Sequence, residues 1–443
     1  MRTTADTVAE ALYDRTGEAA PEPRLDATRR VLDLLGRPDD AFRFIHVTGT
    51  NGKTSTSRMS AALLRAHGQR TGLFTSPHLV RFAERIDLGG RPIDDAVLER
   101  VYDEVAGALA VVDAELLGDG RRRVTFFEAL TAVAYTAFAR DGLDTAVVEV
   151  GMGGSWDSTN VADGSVAVFT PIALDHVAQL GSTVGEIAAT KAGIIKREAV
   201  AVTAPQPEEA MRELRRAARA RGVPLRRAGR DFTVTSHATT DSTLTIDLTG
   251  PFGAVTDARL GLAGRHQAMN AAVAVTAVDA FLGTGRLDPD AVRAALAAAD
   301  SPGRLQIVSR TPLVVLDAAH NPAGAQSLAA ALAECFTGKR FGFVLSVLDD
   351  KDARGIVRAL AGVAGAFFAT ASASERAIAA EELARLVAEE APGIGVRAYE
   401  RPRAAVDAAT AWASGSGSRG VAVTGSITLI GEFAGDADEP GGQ

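Results

Sequence analysis

A single cysteine, Cys335, serves the whole 443-residue chain, which excludes an internal disulfide framework and any zinc site built from several thiolates. No stretch approaches the ~20 apolar residues that a membrane span needs. The start, Met1 to Leu12, mixes Arg2, Asp6 and Glu10 with small residues where a secretory signal would carry an apolar core. There is no basic excess either. A formal net charge of -8 argues against a general nucleic-acid or membrane-surface binder, so any anionic ligand must be held locally. These absences point to a cytoplasmic protein whose N-terminus is an ordinary helix.

What is present is a composition of 47% hydrophobic and 23% charged residues, close to that of folded domains. At this length one hydrophobic core stops growing, so two domains are expected. Arg24 to Leu35 sets Leu25, Val31, Leu32, Leu34 and Leu35 beside charged positions, the pattern of an amphipathic helix. Phe42 to Val47 reads as a strand running into Gly49-Thr50-Asn51-Gly52-Lys53-Thr54, after which Met59, Ala62, Leu63 and Ala66 recur at helical spacing. The unit repeats, with helix-like segments at 126–139 and 184–196 and strand-like ones at 145–150 and 166–170. Such alternation predicts a parallel sheet covered by helices. Residues 232–260 break the rhythm with Thr-rich alternating stretches, which predict a small antiparallel sheet.

Ser301-Pro302-Gly303-Arg304 punctuates the chain, and strands at 313–316, 341–345, 366–370 and 421–424 follow, interleaved with helices. The expected fold class is α/β. A P-loop-containing parallel-sheet domain with a small antiparallel β segment fills 1–300, and a second, smaller Rossmann-like α/β domain fills 301–443. The Asp- and Gly-rich tail from Gly435 is expected to be disordered.

Between a strand and a helix, loop N–H groups and the helix N-terminus can hold a phosphate chain. Gly49, Thr50, Asn51 and Gly52 would form that cradle, Lys53 would reach the terminal phosphates, and Thr54 would offer its hydroxyl to Mg²⁺. Val47 stands where the first glycine of G-x-x-x-x-G-K-[ST] would be, so the full spacing is not kept. Glu149 closes a strand just ahead of Gly151-Met152-Gly153-Gly154, where a carboxylate faces the ligand crevice of an open parallel sheet. One carboxylate beside substrate phosphates suffices for Mg²⁺. Taken alone, Glu149 also reads as a solvated turn residue, His176 as a structural histidine and Lys191 as a surface helix lysine.

In order and spacing, these pieces resemble the folylpolyglutamate synthase/dihydrofolate synthase branch of the Mur ligase superfamily. The resemblance rests on His46-Val-Thr-Gly-Thr-Asn-Gly-Lys-Thr54, Thr75-Ser-Pro-His-Leu79, Glu149-Val-Gly-Met-Gly-Gly154, Leu174-Asp-His176, Lys191-Ala-Gly-Ile-Ile195, Pro302-Gly-Arg304 and Asp317-Ala-Ala-His-Asn-Pro322. It implies an ATP-binding domain followed by a glutamate ligase domain, and two Mg²⁺ sites, one at Thr54 and Glu149 and another served by Ser76 and His176. By the same comparison Lys191 is carbamylated by CO₂. Asn270, Arg304 and Asp317 join residues 49–54 in holding ATP. Phe127, Asp157 and Ser158 border the acid substrate, and His320 and Ser426 lie on the amino-acid side.

The implied reaction joins L-glutamate to dihydropteroate or to folate (poly)glutamates through an acyl phosphate. Lys53, His176 and Lys191 form the catalytic set, with His176 a ligand rather than a base. The implied partners are ATP, L-glutamate and a pterin- or folate-type acid, without nucleic acid or membrane, acting on a monomer. Four positions depart from the family pattern: Ser155 replaces an arginine, Ser158 an alanine, Ala178 an acid and Thr190 a glutamate. Loss of a guanidinium removes a planar, permanently charged hydrogen-bonding fork. A paralogue that ligates a different aromatic or pterin-like acid is therefore the alternative. A non-catalytic nucleotide-binding relative is a second, and the joint presence of Lys53, Thr54, Ser76, Glu149, His176 and Lys191 argues against it.

Overall fold

Runs such as Thr145-Ala-Val-Val-Glu149 and Val166-Ala-Val-Phe169 are apolar through their centres, and both are buried along their whole length, as parallel strands covered on both sides must be. The computed structural model describes residues 4–17, 21–238 and 244–437. They divide into two compact units, one spanning 1–235, 247–258 and 269–299, the other 236–246, 259–268 and 300–443.

The first unit is built on strands β1 (Arg43–Thr48), β2 (Thr71–Phe74), β3 (Ile86–Leu88), β4 (Arg91–Pro92), β5 (Thr145–Glu149), β6 (Val166–Phe169), β7 (Val200–Thr203) and β8 (Leu225–Arg227). They lie in the order β4-β3-β2-β5-β1-β6-β7-β8. From β2 to β8 every pairing is parallel, and β3 and β4 add an antiparallel edge. The connection after β1 leads to β2 on one side, while the connection after β5 crosses to β6 on the other. The carboxyl end of β1 is thus a topological switch point, where open α/β sheets bind ligands. Val47 lies opposite Glu149 of β5, and Thr48 opposite Phe169 of β6, so the segments leaving all three strands emerge together.

Helices at Thr4–Tyr13, Asp26–Leu34, Asp95–Gly118 and Phe126–Arg140 share one core with this sheet, rich in fully buried Phe44, Phe74, Phe126, Phe138 and Tyr135. Each buried aromatic or aliphatic side chain of this kind contributes about 1.5–3 kcal/mol relative to its exposed state. A second core, around Phe169, Ile187, Ile194 and Leu214, joins β6 and β7 to helices Val184–Lys191 and Glu208–Arg221. The expected helix at 184–196 ends early, at Lys191, and a short 3₁₀ turn, Ala192–Ile194, follows it.

Strands β9 (Thr233–Ala238), β10 (Leu244–Gly250) and β11 (Gly253–Leu260) form a separate three-stranded sheet in the order β11-β10-β9. The second unit carries β12 (Gln306–Arg310), β13 (Leu313–Leu316), β14 (Arg340–Leu345), β15 (Ala364–Ala369), β16 (Gly395–Ala398) and β17 (Arg419–Thr424). Their order is β12-β13-β17-β14-β15-β16, parallel from β13 onward with β12 antiparallel at the edge. Of the tail expected to be disordered, residues 435–437 end the helix Ile427–Ala437, and the rest lies outside the described residues. Among the described residues no helix is long and apolar enough to cross a membrane.

Candidate active site

The loop after β1 is shaped by two glycines that no other residue could replace without strain. Gly49 has φ +150°, and a Cβ there would lie 1.9 Å from Thr170 Oγ1. Gly52 has φ +87°, and its Cβ would lie 2.8 Å from Asn270 Oδ1, which puts the predicted nucleotide residue Asn270 against the loop. The helix Lys53–Ala66 that follows has no side-chain cap and no acidic residue in its first turn. Its N-terminal N–H groups and the positive end of its dipole are therefore kept for an anion.

Thr50 and Asn51, expected to help form the cradle, also tie the loop to its neighbour. Their N–H groups both donate to Pro171 O, at 2.9 and 3.3 Å, and Thr50 Oγ1 donates to Ala173 O at 3.0 Å. They clamp the loop to the segment leaving β6. Backbone carbonyls carry no sequence signature, so sequence reading had no means of finding Pro171 and Ala173.

Two lysines converge on this loop. Lys53 Nζ donates to Gly49 O and Thr50 O, each at 3.3 Å, and Lys191 Nζ donates to Gly49 O at 2.8 Å. Lys191 is buried rather than exposed on a helix surface. Burial, reinforced by the nearby Lys53 charge, lowers its pKa from 10.5 to about 7. Thr54 Oγ1 donates to Glu149 Oε1 at 3.1 Å, bringing together the two residues expected to serve one metal. A hydroxyl and a carboxylate are hard oxygen donors and fit Mg²⁺, which keeps waters and substrate phosphates for its other positions. Among the described residues no group of three or more His, Cys, Asp or Glu side chains forms a metal cage.

Ser76 leaves the end of β2, and His176 follows β6, on opposite flanks of β5 and β1. His176 has φ +48°, a conformation rare for residues other than glycine and one that clusters at functional sites. Its N–H donates to Asp175 Oδ1 at 2.8 Å, and its Nε2 lies 4.0 Å from Asp175 Oδ2.

Phe127 lies in the first turn of the helix Phe126–Arg140, whose capping box pairs Thr125 with Glu128, itself ion-paired to Arg24 at 2.8 Å. The Phe127 ring faces Gly151 so closely that a Cβ there would lie 2.5 Å from it. Asp157 is buried, and burial raises its pKa, opposed by hydrogen bonds from Met152, Thr159 and Gly151. Its carboxylate accepts from Met152 N at 2.9 Å and Thr159 N at 3.0 Å, so it organises the turn beneath Phe127. The departures also acquire physical accounts. Ser158 Oγ bonds Thr131 Oγ1 at 2.7 Å and donates to Phe127 O at 3.3 Å, tying the turn to the Phe127 helix. Thr190 Oγ1 donates to Glu186 O within its own helix, at 3.3 Å. Ala178 and Ser155 are exposed.

On the second unit Asp317 follows β13 and accepts from Leu305 N at 2.8 Å and Ala319 N at 2.9 Å. Burial raises its pKa, against the opposing charges of Arg304 and His266. Sequence reading had not singled out His266. His320 Nδ1 bonds Ala318 O at 2.9 Å, and Ser426 is buried just past β17.

Residues 95–278 match the Mur ligase middle domain, and residues 303–427 match the Mur ligase glutamate ligase domain. The chain is 40% identical to the dihydrofolate synthase/folylpolyglutamate synthase of Mycobacterium tuberculosis, over 96% of this chain and 92% of that protein. The crystal structure of the Mycobacterium tuberculosis folylpolyglutamate synthase complexed with ADP and AMPPCP is similar with a TM-score of 0.93 at 40% identity, covering 99% of each chain. An FPGS–AMPPCP–folate complex is similar with a TM-score of 0.83 at 31% identity, covering 98% of this chain and 99% of that one.

Proposed function

Because the chain belongs to the folylpolyglutamate synthase/dihydrofolate synthase family of Mur ligases, we propose that it uses ATP to join L-glutamate to a pterin- or folate-type acid. The observation that carries this reading is the convergence of Lys53, Lys191 and the Thr54–Glu149 pair on one uncapped helix start at the sheet's switch point.

A carboxylate resists amine attack because it is anionic and lacks a good leaving group. Moving the γ-phosphoryl onto the acid oxygen gives an acyl phosphate, and the glutamate amine displaces phosphate from it. The transferring phosphoryl spreads charge over its oxygens, so positioning and electrostatic stabilisation are the protein's main tasks. Lys53 supplies the mobile ammonium for that charge, and the first-turn N–H groups of Lys53–Ala66 hold the phosphate chain. Thr54 and Glu149 would hold Mg²⁺, and Ser76 and His176 a second ion, and bound there the metal would add charge neutralisation. Phe127 offers a ring face to the acid over the turn that Asp157 and Ser158 shape. Asn270, Arg304 and Asp317 hold the nucleotide, and His320 and Ser426 receive the amino acid. We assign 1–300 to ATP binding and 301–443 to the amino acid, in a cytoplasmic monomer that acts on small molecules.

Lys191 is suited to carbamylation because an amine must be neutral to attack CO₂, and its lowered pKa makes much of it so near pH 7. The ammonium first gives up one proton; the neutral nitrogen then bonds the carbon of CO₂ and releases a second proton, so that a buried cation would become a carbamate anion able to support a metal.

ADP release by the purified protein with ATP, Mg²⁺ and L-glutamate, across dihydropteroate, tetrahydrofolate and other aromatic acids, tests the assignment. Turnover should require a folate-type acid. Turnover with only a different aromatic acid would instead favour the paralogue that the exposed Ser155, in place of an arginine, suggests.

A further inference from the structure

We propose that His46 is a positioning residue for the acid side of the reaction, acting through Thr159 and Asp157 to hold the Gly151–Met152 turn under the Phe127 ring. The proposal rests on the reading that this turn borders the acid substrate.

His46 lies in β1, fully buried, with no route to a substrate of its own. Its Nε2 lies 2.9 Å from Thr159 Oγ1, and the same hydroxyl contacts Asp157 Oδ1 closely as a donor. A hydroxyl has one proton. Since Thr159 gives it to the carboxylate, Thr159 must accept from His46, which places the imidazole proton on Nε2. Consistently, Nδ1 has no hydrogen-bond partner among the described residues. Burial pushes the His46 pKa down to about 3, so the neutral ring keeps this tautomer at working pH.

The far end of the relay is the turn itself. Asp157 Oδ2 accepts from Met152 N at 2.9 Å, and Thr159 is pinned a second time where its carbonyl accepts from Tyr135 Oη at 2.8 Å. At Gly151 not even a methyl group fits under Phe127, since it would lie 2.5 Å from the ring. Small shifts of the turn therefore change the slot. The other end of the turn has its own tie to β1, from Thr48 Oγ1 to Gly153 O at 2.8 Å. Loss of the His46 bond should thus act on Gly151 and Met152 and leave the phosphate loop in place.

The test compares His46→Gln with His46→Asn. The glutamine amide can reach the position of Nε2 and keep the donor, whereas the asparagine amide falls short. Both lose the ring contact with Phe44, at 5.3 Å between centroids, so the difference between them isolates the bond. Steady-state KM for the folate-type acid and for ATP would be measured along with thermal melting. His46→Asn should raise KM for the acid by about ten-fold or more, with KM for ATP within about two-fold of wild type and His46→Gln close to wild type. Thr159→Val and Thr159→Ser give the same comparison at the next link, where only the valine should raise KM for the acid. Equal effects of the two members of each pair, or KM for ATP rising together with KM for the acid, would overturn the proposal. A wild-type protein inert towards every folate-type acid would overturn the folate reading, and this inference with it. Wild-type turnover with unmoved variants would overturn the relay alone.

Discussion

Replacing Lys53 by alanine is expected to lower kcat for ATP-dependent turnover by about a hundred- to a thousand-fold, the loss typical of removing one preorganised stabiliser of transition-state charge. Lys53 opens an uncapped helix and rests on two carbonyls at 3.3 Å, bonds long enough to be exchanged for phosphate oxygens. Its role is specific to charge that develops during transfer, so kcat should fall more than affinity for ATP weakens. Single-turnover rates with saturating ATP, alongside an unchanged melting curve, measure this. A rate within about ten-fold of wild type would remove Lys53 from the chemistry.

Substituting Lys191 by methionine should have two effects. Turnover should fall by about a hundred-fold, since both the amine and any carbamate built on it vanish beside the phosphate loop. Stability should also lose part of its pH dependence. Burial lowers the Lys191 pKa in the folded chain to about 7, against the ordinary value of 10.5. Between those values the unfolded chain binds a proton that the folded chain lacks, so stability rises with pH across that window. The cost of burying the charge is present in full below pH 7 and is relieved as pH climbs. Melting temperatures of wild type and Lys191→Met at pH 6, 7.5 and 9 should therefore diverge, with the wild type gaining more on going up. Parallel curves would show that Lys191 keeps its proton throughout. Wild-type activity should rise over the same interval and respond to added bicarbonate.

Much of this site was legible in the sequence because it is local. A strand, a glycine loop and a helix follow one another within residues 43–66, and apolar periodicity with a Gly-Lys-Thr step marks that unit without reference to the rest of the chain. Glu149 was legible only in part: a carboxylate closing a strand can face the crevice, but ahead of glycines it reads as readily as a solvated turn residue, and only its bond with Thr54 places it beside the loop. Burial of Lys191 was not legible. It depends on helix Val184–Lys191 ending, at Lys191 itself, against the loop after β1, a tertiary fact that an Ala-rich helix does not announce. The short edge strands β3 and β4 were missed because two or three residues give no period. The role of Thr50 as a clamp was hidden because its partners are backbone carbonyls 121 to 123 positions away, at Pro171 and Ala173. Asp157 shows the limit of reading a motif. Its place beside the acid site can be inferred, but only the structure reveals a carboxylate already engaged by the turn that it supports.

The central claim, that ATP activates a carboxylate for attack by glutamate, is tested most directly by following oxygen. A folate-type acid carrying heavy oxygen in its carboxylate would be incubated with the protein, ATP, Mg²⁺ and L-glutamate, and product and inorganic phosphate analysed by mass spectrometry. An acyl phosphate transfers one carboxylate oxygen to phosphorus, so each glutamyl product formed should be matched by one phosphate carrying the label. Glutamylated product accompanied by unlabelled phosphate, or ADP formed without glutamylated product, would contradict the account.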